Sequence, residues 1–210
     1  MRKTRLSSLL SAVFLTVFLA ASASAQTSVA LSVYGAFSGT TTGHGTIQSP
    51  SNAAGGMLEL RHIFNPILGF EAAYSFNRAN QTYSSGMTPA ACPVGLIPCQ
   101  VQSPDSIRAN AHEVTADWIP SIGLGDFRPF GVLGMGALFD VPVNGQSGGA
   151  TTKAVYVYGA GLDWGFLPHI GLRLQYRGNL YKAPDLSRLY TSTNAFAQTA
   201  EPMLGVYFTL

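Results

Sequence analysis

Apolar side chains recur at every second position along residues 26–210, in eight separate segments, and this alternation constrains the fold more than any other feature. Successive side chains of an extended strand point to opposite faces, so a period of two marks strands with one apolar face. The clearest segment is 170–181, where Ile170, Leu172, Leu174 and Tyr176 alternate with Arg173, Gln175 and Arg177. Residues 29–37 set Val29, Leu31, Val33 and Phe37 against Ala30, Ser32, Tyr34 and Ala36. Residues 57–64 set Leu58, Leu60, His62 and Phe64 against Met57, Glu59, Arg61 and Ile63. Segments 68–77, 109–119, 154–164 and 202–210 follow the same rule, and 127–139 is a Gly-rich segment whose facing is unclear. Soluble strands usually run about five or six residues. These run about nine to twelve, close to the ~9–11 that carry a tilted strand across a bilayer.

The connections alternate too. Short turns are expected at Asn65-Pro66, from Pro120 to Asp126 and at Leu167-Pro168-His169. Long polar loops are expected over 39–55, 78–107, 140–153 and 182–198. Short turns on one side and long loops on the other is the layout of a transmembrane barrel. The expected fold is therefore all-β: an eight-stranded antiparallel up-and-down barrel spanning a membrane.

The charges say which face meets lipid. Glu59, Arg61, Glu71, Glu113, Asp117, Asp163, Arg173 and Arg177 all lie on the less apolar face of their segments. A charge facing lipid at mid-depth costs about 2–4 kcal/mol, so this face points inward. Arg128, near the start of the Gly-rich segment, would join them as a fourth base against five acids. A small barrel has an interior just wide enough for side chains, and buried charges must be paired, so a polar plug is expected instead of an open pore. Phe64, Phe70, Tyr74, Phe76, Trp118, Tyr156, Trp164 and Tyr176 fall on outer faces, many near segment ends, as a barrel's aromatic rims require.

Composition narrows the class further. Only 10% of residues are charged, against roughly 25% in an ordinary soluble domain. The formal net charge of +2 rests on Arg2, Lys3 and Arg5. Without them the chain offers no basic surface for nucleic acid. Those three residues, the apolar run Leu9–Ala20 and the small residues Ala23-Ser24-Ala25 read as a signal peptide over 1–25, leaving 26–210 as the barrel domain. Cys92 and Cys99 enclose a six-residue ring with two prolines. They suggest a small disulfide loop in an oxidising compartment, with two free thiols as the alternative.

The last eight residues, Met203-Leu204-Gly205-Val206-Tyr207-Phe208-Thr209-Leu210, resemble the C-terminal signal read by the barrel-assembly machinery. Gly205, Phe208 and Leu210 stand at its glycine and hydrophobic positions; Met203 and the terminal Leu depart from its commonest form. With the Gly-rich stretches at 127–131 and 158–164, the mature chain resembles the small outer-membrane barrels of the OmpA transmembrane-domain and OmpX type. That resemblance implies an outer-membrane location with both termini in the periplasm. It also implies lipid and lipopolysaccharide as neighbours, the assembly machinery as partner, and no shared catalytic residues. A barrel alone is expected, with no further domain after Leu210.

Three functions are compatible with this reading. One is a structural or surface-interaction barrel meeting an extracellular ligand through its loops, with 78–107 as recognition element. Another is a small ion- or solute-conducting channel. The third and weakest is an outer-membrane lipid-modifying enzyme. His44 has Ser49 and Ser51 nearby in sequence, but His112-Glu113-Val114 lacks the His-x-Ser of a deacylase. His62 and His112 fall on outer faces and His169 in a turn. No residues have the spacing of a metal site, and no cofactor is expected.

Overall fold

The computed structural model describes residues 26–86, 103–143 and 148–210. The segment 1–25 and the pair Cys92 and Cys99 lie outside the described residues. Ten strands follow one another: β1 (Gln26–Ser38), β2 (Thr41–Gly43), β3 (Thr46–Pro50), β4 (Ala53–Ile63), β5 (Gly69–Ser85), β6 (Asp105–Trp118), β7 (Phe127–Pro142), β8 (Thr151–Leu167), β9 (Ile170–Lys182) and β10 (Phe196–Thr209).

Eight of them close a barrel. The order around the wall is β5-β4-β1-β10-β9-β8-β7-β6, and β6 returns to β5. All pairings are antiparallel, and the first and last strands meet from Ser28↔Thr209 to Ser38↔Thr199. Closure removes the free edges that an open sheet would expose to lipid, where an unpaired N–H or C=O has no water to bond.

The two small strands β2 and β3 form a hairpin that extends the wall beyond β4, pairing with the far half of β5 from Thr46↔Ser85 to Pro50↔Gln81. His44 and Gly45 turn this hairpin, both at positive φ (49° and 74°), as a two-residue turn matched to strand twist requires. At the opposite end the turns are tight. The Asn65 side-chain oxygen accepts from the N–H of Ile67 and of Leu68 (3.0 and 2.8 Å), an Asx turn that reverses β4 into β5.

The barrel strands run longer than the alternation predicts, up to 17 residues in β5 and β8. Most of the surplus lies at the long-loop end, where β5 continues to Ser85 and β10 begins at Phe196, inside stretches expected to be loop; β8 also runs on to Leu167, a residue expected in the short turn. Beyond the apolar belt the outer face of the strands turns polar, at Thr82, Ser106 and Gln198. The period-two contrast disappears there although the backbone ladder continues.

The outer wall is apolar. Leu31, Met135 and Leu174 expose over 60% of their surface, and a belt of Leu, Val and aromatic side chains continues around every barrel strand. An apolar surface of that extent belongs in lipid and not in water. Trp118, Phe127, Trp164, Phe166 and Phe208 gather near the short-turn rim. Tyr74, Phe76, Phe139, Tyr156 and Tyr176 lie toward the long-loop rim.

Candidate functional site

The lumen is where the polar residues go. Across the middle of the barrel, three arginines and four carboxylates form one connected knot. Register sets its walls: Arg61 on β4 stands opposite Glu71 on β5, Glu71 opposite Asp117 on β6, and Asp163 on β8 opposite Arg173 on β9. Arg61 reaches Glu71 at 2.6 Å and crosses to Asp163 at 3.1 Å. Arg173 donates through Nε to Asp163 at 2.7 Å and lies 3.3 Å from both Glu59 and Glu71. Arg177 donates to Asp117 at 2.8 Å and to Thr115 Oγ1 at 3.0 Å. Ser32 donates to Glu59 at 2.8 Å. The crossings join opposite walls, β4 and β5 to β8 and β9, and the three arginines are almost wholly buried.

Two aromatic rings pack into the same layer. Phe130 lies 4.0 Å under the Arg61 guanidinium and 5.5 Å from that of Arg173, and Tyr207 sits 5.6 Å from Arg173. Such contacts stabilise a desolvated cation by about 2 kcal/mol. Glycine makes the space. A Cβ on Gly134 would sit 1.9 Å from the Asp117 carboxylate, and one on Gly205 would sit 2.1 Å from the Ser32 hydroxyl that holds Glu59.

On the long-loop side of the knot the lumen turns acidic. Glu113 accepts from the Asn179 amide (3.0 and 3.2 Å) and lies 4.0 Å from Arg177. Asp140 and Glu201 are also buried here. A cavity of only about 30 Å³ lies among them. Above it the segment 183–195 folds over the mouth. Leu186 is fully buried there against Tyr83 and Tyr190. The Tyr83 hydroxyl donates to the Pro184 carbonyl (2.8 Å) and accepts from the Leu186 N–H (3.2 Å). On the short-turn side a vestibule of about 650 Å³ opens outward, with Asp163 and Tyr207 in its lining.

Eight of the nine charges expected inside are buried in the lumen. Arg128 is the exception in degree: it is half-buried at the vestibule, where it donates to the Gln26 side-chain oxygen, and no ion pair joins it to the knot. Asp140, Glu201 and Phe130 are lumen residues that the alternation missed. Glu201 continues the inward series of Met203 and Gly205, but Pro202 reads as a strand end. Asp140 lay in an expected loop, and Phe130 in the Gly-rich segment of unclear facing.

Gly205 faces inward opposite Ser32, whereas Phe208 and Leu210 lie on the outer side at the short-turn rim. His44 bonds the Ser192 carbonyl (2.9 Å), Ser49 pairs with Thr40 and Ser51 with the Asn80 N–H, so His44 joins neither serine. His112 meets the Tyr74 hydroxyl at 2.8 Å on the outer wall. Among the described residues no three metal-ligating side chains converge.

A closed eight-stranded barrel with an apolar outer belt and an ion-paired lumen defines a transmembrane β-barrel. More particularly, the chain belongs to the outer membrane protein beta-barrel domain family, whose model matches residues 10–208. An outer-membrane location follows from that membership. No curated protein matches the sequence. Among solved structures, Neisserial surface protein A is similar with a TM-score of 0.56 at 13% identity, over 88% of this chain and 98% of that one. The outer membrane protein OprG from Pseudomonas aeruginosa is similar with a TM-score of 0.56 at 10% identity, over 88% and 96%. At these identities the likeness is one of fold.

Proposed function

We propose that this protein is a plugged barrel whose work is done at its long-loop face, as a structural and surface-interaction component of the outer membrane. The observation that carries this reading is the ion-paired knot. It spans the lumen from wall to wall, and opening it would leave buried charges without partners. The segment 183–195 packed over the mouth supports the same reading. The short turns, with both chain ends beside them, would face the periplasm. The segment 1–25 would be removed on export, so N-terminal sequencing of the membrane-extracted protein should begin at Gln26. Gly205, Phe208 and Leu210 would serve the assembly machinery, and no residue is assigned a catalytic role.

Planar-bilayer recording tests the plug. The refolded protein should insert and stay electrically silent. A gated pore is the second reading, favoured by the two cavities that flank the knot. Reproducible conductance steps that change with Glu113→Gln or Arg173→Gln would establish it and overturn the plug. Deleting 87–102 should leave insertion intact and abolish binding to an extracellular partner.

A further inference from the structure

The long-loop side of the lumen carries more negative charge than its own bases offset. Among the described residues, seven buried carboxylates face three buried arginines. The knot commits all three arginines to Glu59, Glu71, Asp117 and Asp163. Glu113, Asp140 and Glu201 are left over, at 5%, 3% and 3% exposure. Arg177 lies 4.0 Å from Glu113 against 2.8 Å from Asp117. Lys153, opposite Leu138 on β7, acts on Asp140 from a distance and forms no ion pair with a described residue.

The three surplus acids border one cavity, together with Asn179. Three acceptors of these side chains have no hydrogen-bond partner among the described residues: Asp140 Oδ2, Glu201 Oε2 and Asn179 Oδ1. Each belongs to a residue at most 3% exposed. The Asn179 amide nitrogen is spent on Glu113, at 3.0 and 3.2 Å, which leaves its oxygen over. A buried charge without a partner is strongly unfavourable, and a buried acceptor without a donor is costly as well.

The size and chemistry of the space say what can compensate. The cavity of about 30 Å³ has room for one or two particles the size of a water. A water donates to two oxygens but brings no charge. A small cation brings the charge and takes lone pairs from several oxygens at once, amide oxygens included. A calcium ion asks for more, about 6–8 oxygens with carboxylates prominent among them. No three acidic or imidazole side chains among the described residues are placed to share one such ion.

We infer that the pocket formed by Glu113, Asp140, Glu201 and Asn179 binds one monovalent metal cation, sodium or potassium, taken up from the long-loop side. The knot closes the lumen below the pocket, and the segment 183–195 covers it above. The ion would therefore be a resident counter-charge of the folded barrel. The site goes beyond the surface-interaction reading. A silent barrel and a conducting one can both hold the ion, so either conclusion can fail without the other.

The test is urea unfolding of the full protein in phosphatidylcholine vesicles at mildly alkaline pH, with sodium, potassium or choline chloride at equal total salt. Choline has the same charge and is too bulky for the cavity. With the metal ion at about ten times its dissociation constant, the folded-to-unfolded ratio should rise about tenfold over choline. Glu201→Gln and Asp140→Asn should each cut that gain to under about twofold. In choline both variants should be at least as stable as wild type, because an uncompensated buried charge is gone. Asp185→Asn, an exposed acid of the segment 183–195, should keep the full gain. A second measurement needs no variant. The sodium NMR line should broaden with folded protein in zwitterionic detergent, and potassium but not choline should reverse it. Equal stability in the three salts overturns the site, since the acids then carry protons instead. The full gain in folded Glu201→Gln and Asp140→Asn overturns it too, because the ion then binds elsewhere. Absence of displaceable broadening overturns it whether or not the variants fold.

Discussion

Replacing Arg173 with methionine removes the most connected member of the lumen knot. The side chain is 1% exposed and holds three carboxylates: Asp163 through two nitrogens, and Glu59 and Glu71 through Nη1. Two of the three have other partners. Asp163 keeps Arg61 at 3.1 Å, and Glu71 keeps Arg61 at 2.6 Å and Arg177 at 3.6 Å. Glu59 keeps only the Ser32 hydroxyl, for Arg173 is its one ion-pair partner among the described residues. Breaking a buried pair from one side costs about 3–5 kcal/mol, because a buried charge is left without a partner. Arg173→Met should therefore lower unfolding free energy by about 4 kcal/mol. Neutralising the stranded acid with Glu59→Gln in the same chain should restore about 2 kcal/mol, a coupling within the range found for residues of one network. Urea unfolding of the protein in phospholipid vesicles, followed by tryptophan fluorescence, measures both. A loss under about 1 kcal/mol in the single variant, or a double variant no more stable than the single, would refute the claim that this knot is tight and dry.

Three shorter predictions follow from other parts of the wall. Gly171 faces the Tyr207 ring so closely that an added Cβ would lie 2.3 Å from it, so Gly171→Ala should destabilise by about 1–3 kcal/mol in the same unfolding assay. Tyr83→Phe removes the hydroxyl that bonds Pro184 and Leu186 and should loosen the segment 183–195 by about 1 kcal/mol. Limited proteolysis from the long-loop side should then cut within that segment faster, with little change in global unfolding. Leu174→Arg places a cation at 61% exposure on the outer belt, and should lower stability in bilayers by about 2–4 kcal/mol or block insertion. Fractionation of cells expressing it should show the loss of folded barrel from the outer membrane.

The faces of β1, β4, β5, β6 and β8–β10 through the belt are legible in the sequence. Leu174 beside Arg173, or Leu60 beside Arg61, can satisfy lipid and lumen at once only by pointing apart. β7 is not legible in this way. Its inner positions Gly134 and Gly136 carry no side chain to contrast with the outer Met135, and their role is to leave room for Asp117 and the Val114 carbonyl. Nor do the strand ends show, because Thr82, Ser106 and Gln198 continue ladders on an outer face that is no longer apolar.

Sequence alone determined that this chain crosses a membrane as an eight-stranded barrel and that its charges turn inward. The physical reason is local: each strand's alternation is decided by which of two adjacent side chains lipid will accept. Tertiary structure decided how those charges pair. Arg61 lies ten residues from Glu71 but 102 from Asp163, and both bonds form only once β4 and β8 stand on opposite sides of one closed lumen. Arg128 shows the same limit from the other side: it has the right charge on the inward face, yet its height at the vestibule gives it Gln26 as partner instead of the knot. Alternation specifies which way a residue points, but pairing also needs the register and closure that set its height and its opposite wall.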